Sequence, residues 1–316
     1  MNTLQCKDVV YVQPSGGLGN QLFQVSAAYA LAKRLDAPLR IVTRSNETEI
    51  SKNFDARSFC INNKYFYLEN IEFISQEEFK KINCLIVGEI DIFDDHKGKG
   101  NIILNGYFES EEFFKEYSAD IKKMFTQKNI RTPFIEKHLP EIKNCNSVAV
   151  HIRRGDIRKD TFRTLPMTYY VEAMKIFSNQ KDVKFFVFTD DPVFAKECFQ
   201  NLDNIEVITD GTATNLEELY LMSQCKHMIM ANSTFSWWAA YLNSNSEKLK
   251  ISWWAACLGN NTDTIIVAPF PKFCKDEDFL KRVYHDGPWR KFGRWIHTEV
   301  PFPSNWKTLN PFVFKP

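Results

Sequence analysis

The sequence predicts an α/β protein of two domains built on parallel, doubly wound sheets, and three observations carry that expectation. The chain has 316 residues, more than one hydrophobic core usually serves, so two units of roughly 150 residues each are expected. In the second half, β-rich runs at 147–152, 184–189, 205–208, 227–231 and 265–268 alternate with helix-like segments, the pattern of parallel strands joined by crossover helices. The first half opens in the same style, with a strand, a glycine-rich loop and a helix.

Taken in order, the first strand covers 8–12 and runs into Gly16-Gly17-Leu18-Gly19. A helix from Asn20 to Leu35 follows, with Leu22, Val25, Tyr29 and Ala32 along one face. Pro38 closes that unit ahead of a strand at 39–42, while residues 44–99 mix polar and aromatic side chains and give no element order. A strand at 102–107 precedes a helix near 110–125. Pro133, Pro140 and the polar run from Lys143 to Ser147 interrupt the pattern and place a boundary near 130–146, with domains at 1–140 and 141–316. In the second half, Asp191-Pro192 suits an N-cap followed by the first helical position, and Thr214 with Glu217 forms a capping-box pattern ahead of a helix reaching Cys225. Ser236-Trp237-Trp238-Ala239-Ala240 recurs sixteen positions later as Ser252 to Ala256. Two copies are too few for a solenoid and read as a small tandem duplication.

Composition narrows the function. Forty basic against 39 acidic side chains leave a net charge of +1, without the excess that phosphate-tracking nucleic-acid binders show. The eight cysteines form no Cys-x-x-Cys pair, and no histidine cluster has metal-ligand spacing, so the thiols read as small apolar residues in a reducing compartment. The apolar run Val9–Val12 is too short for a signal or a membrane span. A cytoplasmic protein, resting at most on a membrane surface, is expected.

Chemistry is expected beyond the carboxyl ends of the strands, where helix N-termini and loop amides converge. The strand at 147–152 runs into His151-Ile152-Arg153-Arg154-Gly155-Asp156, and arginine's planar fork suits phosphate oxygens. Alone, the pair reads equally as a surface ion pair with Asp156. The strand at 184–189 leads to Asp190 and Asp191, and that at 227–231 to Asn232, Ser233, Thr234, Phe235 and Ser236. Asp191 reads as a helix cap, leaving Asp190 to face a ligand. Asn232 to Ser236 suit an ordinary N-cap or phosphate binding equally, and Trp237 and Trp238 read as packing. The loop Gly16 to Gln21 is neither a dinucleotide fingerprint nor a Walker loop, which removes support for hydride transfer and P-loop hydrolysis. Asp276-Glu277-Asp278 matches an Asp-x-Asp metal pattern but reads as an acidic helix start.

Gly16 to Gln24, His151 to Asp156, and Asn232 to Tyr241 together resemble the bacterial α-1,2-fucosyltransferases, glycosyltransferase family 11. Gly106-Tyr107-Phe108-Glu109-Ser110, Phe188 to Asp191 and Ser304-Asn305-Trp306 are weaker likenesses. The resemblance implies a GT-B fold, two Rossmann-like domains facing across a cleft, with the C-terminal tail returning to the first domain. It implies inverting, metal-independent transfer from GDP-β-L-fucose, with no cofactor, to the 2-OH of a galactose-terminated oligosaccharide or lipid-linked glycan. Surface glycan assembly, in lipopolysaccharide or capsule, at the inner membrane would be the setting.

Carried over, Arg153 would bind the β-phosphate, Asp190 would help read the guanosine, and Ser233 to Ser236 would line the diphosphate, with Asn232 and Arg154 beside them. Gly17, Gly19, Asn20 and Gln21 would approach the donor from the first domain, and Arg153 would act on the leaving group, with Asp156 and His151 as candidates for the base. The duplicated segment departs from the family. It leaves open a non-catalytic GDP-sugar-binding protein, or a transferase with another GDP-sugar or linkage.

Overall fold

The structure is a computed structural model that describes residues 8–43, 61–128, 131–154, 165–200, 202–243 and 266–267. Asp156, Asp276 to Asp278, the second Ser-Trp-Trp-Ala-Ala copy and Ser304 to Trp306 lie outside the described residues. The chain divides into two compact units, Met1–Ile130 with Thr214–Leu216, and Arg131–Ala213 with Glu217–Pro316.

The first unit begins with β1 (Val9–Val12), α1 (Leu18–Leu35) and β2 (Leu39–Thr43). Leu22, Val25 and Ala32 of α1 are buried as their spacing predicts, while Tyr29 of the same face is only half-buried and donates to Asp120 Oδ2 at 2.9 Å. Asp36, in the left-handed conformation at φ 52°, ends the helix. The region 61–99, which resisted ordering, holds β3 (Glu72–Ser75), α2 (Gln76–Phe79) and β4 (Leu85–Val87). Its one sharp local signal is the capping box between Ser75 and Glu78. β5 covers Asn101–Leu104 only. Beyond it the expected helix breaks into two 3₁₀ turns, Glu111–Phe113 and Lys115–Tyr117, before α3 (Ser118–Phe125). The break serves packing: consecutive rings Phe113 and Phe114 are both buried, and Phe114 takes φ −142°, ψ 8° to reach Phe23 at 6.1 Å.

All pairings in this sheet are parallel, in the order β3-β2-β1-β5-β4. The chain winds outward from β1 through β2 to β3 and then returns to the other side, so the order reverses between β1 and β5.

The second unit opens with a correction. Pro133 and Pro140, read as breakers, lie at the start and inside α4 (Pro133–Asn144). Thr132 caps it by accepting from Ile135 N at 3.3 Å, and Pro133 takes the first turn, where its missing N–H costs nothing. Because α4 packs on β6 (Asn146–Ile152), the division between units falls at 130/131, ahead of the expected 140/141. There follow α5 (Met167–Lys175), β7 (Val183–Thr189), α6 (Pro192–Phe199), β8 (Ile205–Val207), α7 (Asn215–Gln224), β9 (His227–Ile229), α8 (Thr234–Tyr241) and β10 (Ile266–Val267). Asp191 caps α6, accepting from Phe194 N at 3.3 Å, as its place before Pro192 predicts.

This sheet too is parallel throughout, in the order β10-β9-β6-β7-β8, and reverses between β6 and β9. β6 is central and buried along nearly its whole length, which explains its unbroken apolar run. Trp237 and Trp238 are both buried in α8, Trp237 stacked on Tyr241 at 4.8 Å, so the reading of the tryptophans as packing holds. Among the described residues no helix is long and apolar enough to cross a membrane.

Candidate active site

A reversal in strand order leaves a crevice beyond the carboxyl ends, because the loops on either side turn away from each other. In the second sheet that point is flanked by Arg153 and Arg154 after β6 and by Ala231 to Ser236 after β9. Four sequence candidates meet there. Arg153 Nη1 donates to Ser233 Oγ at 3.4 Å, and the same oxygen caps α8 by accepting from Phe235 N at 3.3 Å. Ser233 and Thr234 are buried and Asn232 half-buried, in a tight turn closed by Ser233 N to Ala231 O at 2.9 Å. A guanidinium, a hydroxyl and the first amides of a helix thus lie together, the donor set that an anion requires.

The arginine pair divides. Arg154 turns the other way, its guanidinium 3.6 Å above the Phe194 ring and its Nε 3.6 Å from Asp191 Oδ2. Its backbone N donates to Asp190 Oδ1 at 2.7 Å, which ties the end of β6 to the end of β7. Asp190 is exposed and Asp191 is not. Beneath them Tyr170 is buried and hydrogen-bonded to the Arg153 backbone, with burial driving its hydroxyl well above the ordinary range.

His151 is buried, its Nδ1 in a short hydrogen bond with Ser236 Oγ and its ring 5.5 Å from that of Phe235. Ser236 Oγ also accepts from Ala231 N at 3.2 Å. Burial, and then the charge of Arg153, push the imidazole down to about 3, so it is neutral at any physiological pH.

One group escaped the sequence reading. Glu218, on the first turns of α7, is buried, and Thr209 Oγ1 donates to its Oε1 at 2.5 Å while accepting from Thr189 N at 3.1 Å. This chain links α7 to the last residue of β7 and to the segment following β8. Burial raises the Glu218 carboxyl to about 7, the Thr209 hydrogen bond opposing and the Asp190 charge adding. A signal existed in Leu216, Leu219, Leu221 and Met222, which place an apolar environment around a carboxylate, but it is weak without knowledge of what α7 faces. Since the folded carboxyl holds its proton more tightly than an unfolded one near 4.5, the group favours the folded state at low pH. That contribution is lost as pH rises through 7. Stability should fall on the order of 3 kcal/mol between about pH 5 and pH 8 from this group, and Glu218→Gln should remove the slope in denaturant titrations at the two pH values.

In the first unit Gly16 (φ 77°) turns the chain after β1 and Gly17 precedes α1. Gln21 Nε2 donates to Gly16 O at 2.9 Å, and Gln24 Oε1 accepts from Ser15 N at 2.8 Å. A Cβ on Gly16 would lie 3.0 Å from Asn20 Nδ2. The amides of this loop motif therefore hold the loop itself, with Gly19 and Gln21 buried and Asn20 half-buried. Among the described residues no group of three His, Cys, Asp or Glu side chains could hold a metal ion.

A sequence model of glycosyl transferase family 11 matches residues 2–251. The chain belongs to glycosyltransferase family 11. The match takes in every site segment described above and ends one residue before the second Ser-Trp-Trp-Ala-Ala copy. An alpha-1,2-colitosyltransferase of Escherichia coli is 28% identical over 274 residues, 75% of this chain and 88% of that protein. The human galactoside alpha-(1,2)-fucosyltransferase 1 is 25% identical over 301 residues, 85% of this chain and 70% of that protein. Among solved structures, POFUT1 in complex with GDP superposes with a TM-score of 0.51 at 13% identity, covering 78% of this chain and 97% of that one. The likeness is one of fold, and with the two parallel α/β units it places this family 11 glycosyltransferase in the GT-B class.

Proposed function

We propose that this glycosyltransferase moves L-fucose from GDP-β-L-fucose to the 2-OH of a terminal galactose, with inversion and without a metal. The observation that supports the reading best is the meeting of Arg153, Ser233 and the start of α8 at the reversal point of the second sheet. In a displacement at the sugar's C1, negative charge grows on the departing GDP, and a fixed cation and amides stabilise it more as the barrier is approached. Arg153, Ser233 and Thr234 hold the diphosphate in this reading, and Ser236, whose buried hydroxyl is bonded to His151 and Ala231 N, fixes the turn beneath them. Asp190 accepts from the ribose, and Glu218 offers a carboxyl to the donor edge of guanine.

We assign His151, one of the two candidates for the base, to positioning instead. A base works with a pKa near the operating pH, and an imidazole lowered to about 3 that is bonded to Ser236 serves better to fix that hydroxyl. Asp156 is the remaining candidate for the base. The acceptor is a galactose-terminated or lipid-linked glycan, met on the cytoplasmic face of a membrane.

A second reading comes from the colitosyl relative: a GDP-sugar lacking the 3-hydroxyl of fucose could be the donor. Incubating the purified chain in EDTA with β-galactosides and either GDP-fucose or GDP-colitose separates the two. A faster α-1,2-fucosyl product supports the first reading, and preference for the deoxysugar the second. Dependence on added Mn²⁺ would overturn the metal-free claim, and GDP-fucose binding without turnover would make the chain a binding protein. In the same assay Asp190→Ala should raise the donor KM about tenfold, the loss of one hydrogen bond to a charged group, while the acceptor KM stays as it was.

A further inference from the structure

We propose that Tyr107 is the stacking platform for the acceptor sugar, presented by the loop Gly106 to Ser110. The inference rests on the transferase reading above and names a part that the reading leaves unassigned. The first sheet reverses between β1 and β5, which makes its own crevice beyond the carboxyl ends of these strands. Tyr107 follows the end of β5 by three residues.

The loop is built to show this ring. Glu89, two residues beyond β4, accepts through Oε1 from Tyr107 N at 2.9 Å and Phe108 N at 2.7 Å. A Cβ on Gly106 would stand 2.9 Å from Glu89 Cγ, so no side chain fits between the brace and the loop. Phe108 sits at φ 53°, a conformation that bulky residues rarely take and that persists only where the surroundings impose it. The effect is to bury Phe108 completely, edge-on to Phe113 at 5.3 Å, and to leave Tyr107 50% exposed. Strained positions of this kind concentrate at ligand sites.

The charge of the crevice identifies the class of ligand. The segments beyond β1, β4 and β5, namely 13–21, 88–89 and 105–110, contain no lysine or arginine. They offer amides, hydroxyls, carboxylates and an aromatic face, which suits a neutral sugar and not a diphosphate. Asn105 is exposed on the other side of Gly106 and can bond a hydroxyl of a sugar stacked on Tyr107. Among the described aromatics of this unit, Phe66 is buried, Phe93 is stacked on Phe113 and faced by Arg34, and Tyr67, 40% exposed, has Lys128 Nζ 5.2 Å from its ring centre.

The test compares Tyr107→Ala and Tyr107→Phe with the wild type in steady-state transfer to lactose. Tyr107→Ala should raise the acceptor KM at least tenfold, with the donor KM, the acceptor-independent hydrolysis of GDP-fucose and the unfolding midpoint unchanged. Tyr107→Phe should stay within threefold of the wild type, because it keeps the ring. An unchanged acceptor KM in Tyr107→Ala, or an equal rise in the donor KM, overturns the inference while leaving the transferase reading intact. If the wild type does not turn over GDP-fucose, that reading fails first, and saturation-transfer NMR with lactose still decides here. Galactose signals lost in Tyr107→Ala support the platform, and signals retained overturn it.

Discussion

Arg153→Ala should lower kcat/KM for fucosyl transfer by about 10²–10³-fold, equivalent to about 3–4 kcal/mol of transition-state stabilisation. The side chain points to Ser233 at the start of α8 and is half-buried, so it acts in a partly desolvated place where a fixed charge counts for more than in water. Arg153→Lys should recover little of the loss, since an ammonium cannot present the fork. Arg154→Ala makes the control. Its guanidinium stacks on Phe194 and lies near Asp191, so the variant should lose less activity than Arg153→Ala and show part of its effect as a lowered melting temperature. Steady-state kinetics and thermal unfolding on the three proteins check the division, and equal losses of kcat/KM in the two alanine variants would remove it.

Trp238→Ala should be the most destabilising single change in the second unit, by about 3–5 kcal/mol. Trp238 is fully buried, edge-on to Trp237 at 5.1 Å and to Tyr241 at 5.2 Å. Removing the indole leaves a cavity in the helix whose first turn carries Ser233, Thr234 and Ser236, so donor binding should weaken along with stability. Urea unfolding gives the first quantity and titration with GDP the second. A loss of stability below about 1 kcal/mol would mean that the site collapses around the gap. The tryptophans read from sequence as packing, and packing is what couples them to the site.

Local patterns were legible where one rule dominated. Asp191 before Pro192 specified a cap, and the apolar run ending in Arg153-Arg154 specified a buried strand with polar groups at its edge. Pro133 misled because proline suits a helix's first turn, and Pro140 because it lies inside α4 without ending it; only the packing of α4 on β6 shows that the segment continues. The aromatic region was misread in part for a related reason, with 61–99 giving no element order and 110–125 reading as a single helix. Its rings are placed by pairing with partners distant in sequence, Phe23 with Phe114 and Phe66 with Phe125, and no local period records such contacts.

By itself the sequence determined the parallel α/β class, the family and the strand ends that frame the candidate site, because hydrophobic period, turn residues and motif blocks are properties of short segments. Tertiary structure alone decided which of two adjacent arginines faces the helix start, that His151 is neutral and tied to Ser236, that Glu218 is a buried carboxyl, and that Tyr107 and not Phe108 is displayed. The arginines and His151 depend on neighbours 36 to 85 residues away in the chain, Glu218 on burial beside Thr209 in the preceding loop, and Tyr107 on the backbone conformation of Phe108. Desolvation and distance set charge state and orientation, and neither is written in a residue's own neighbourhood.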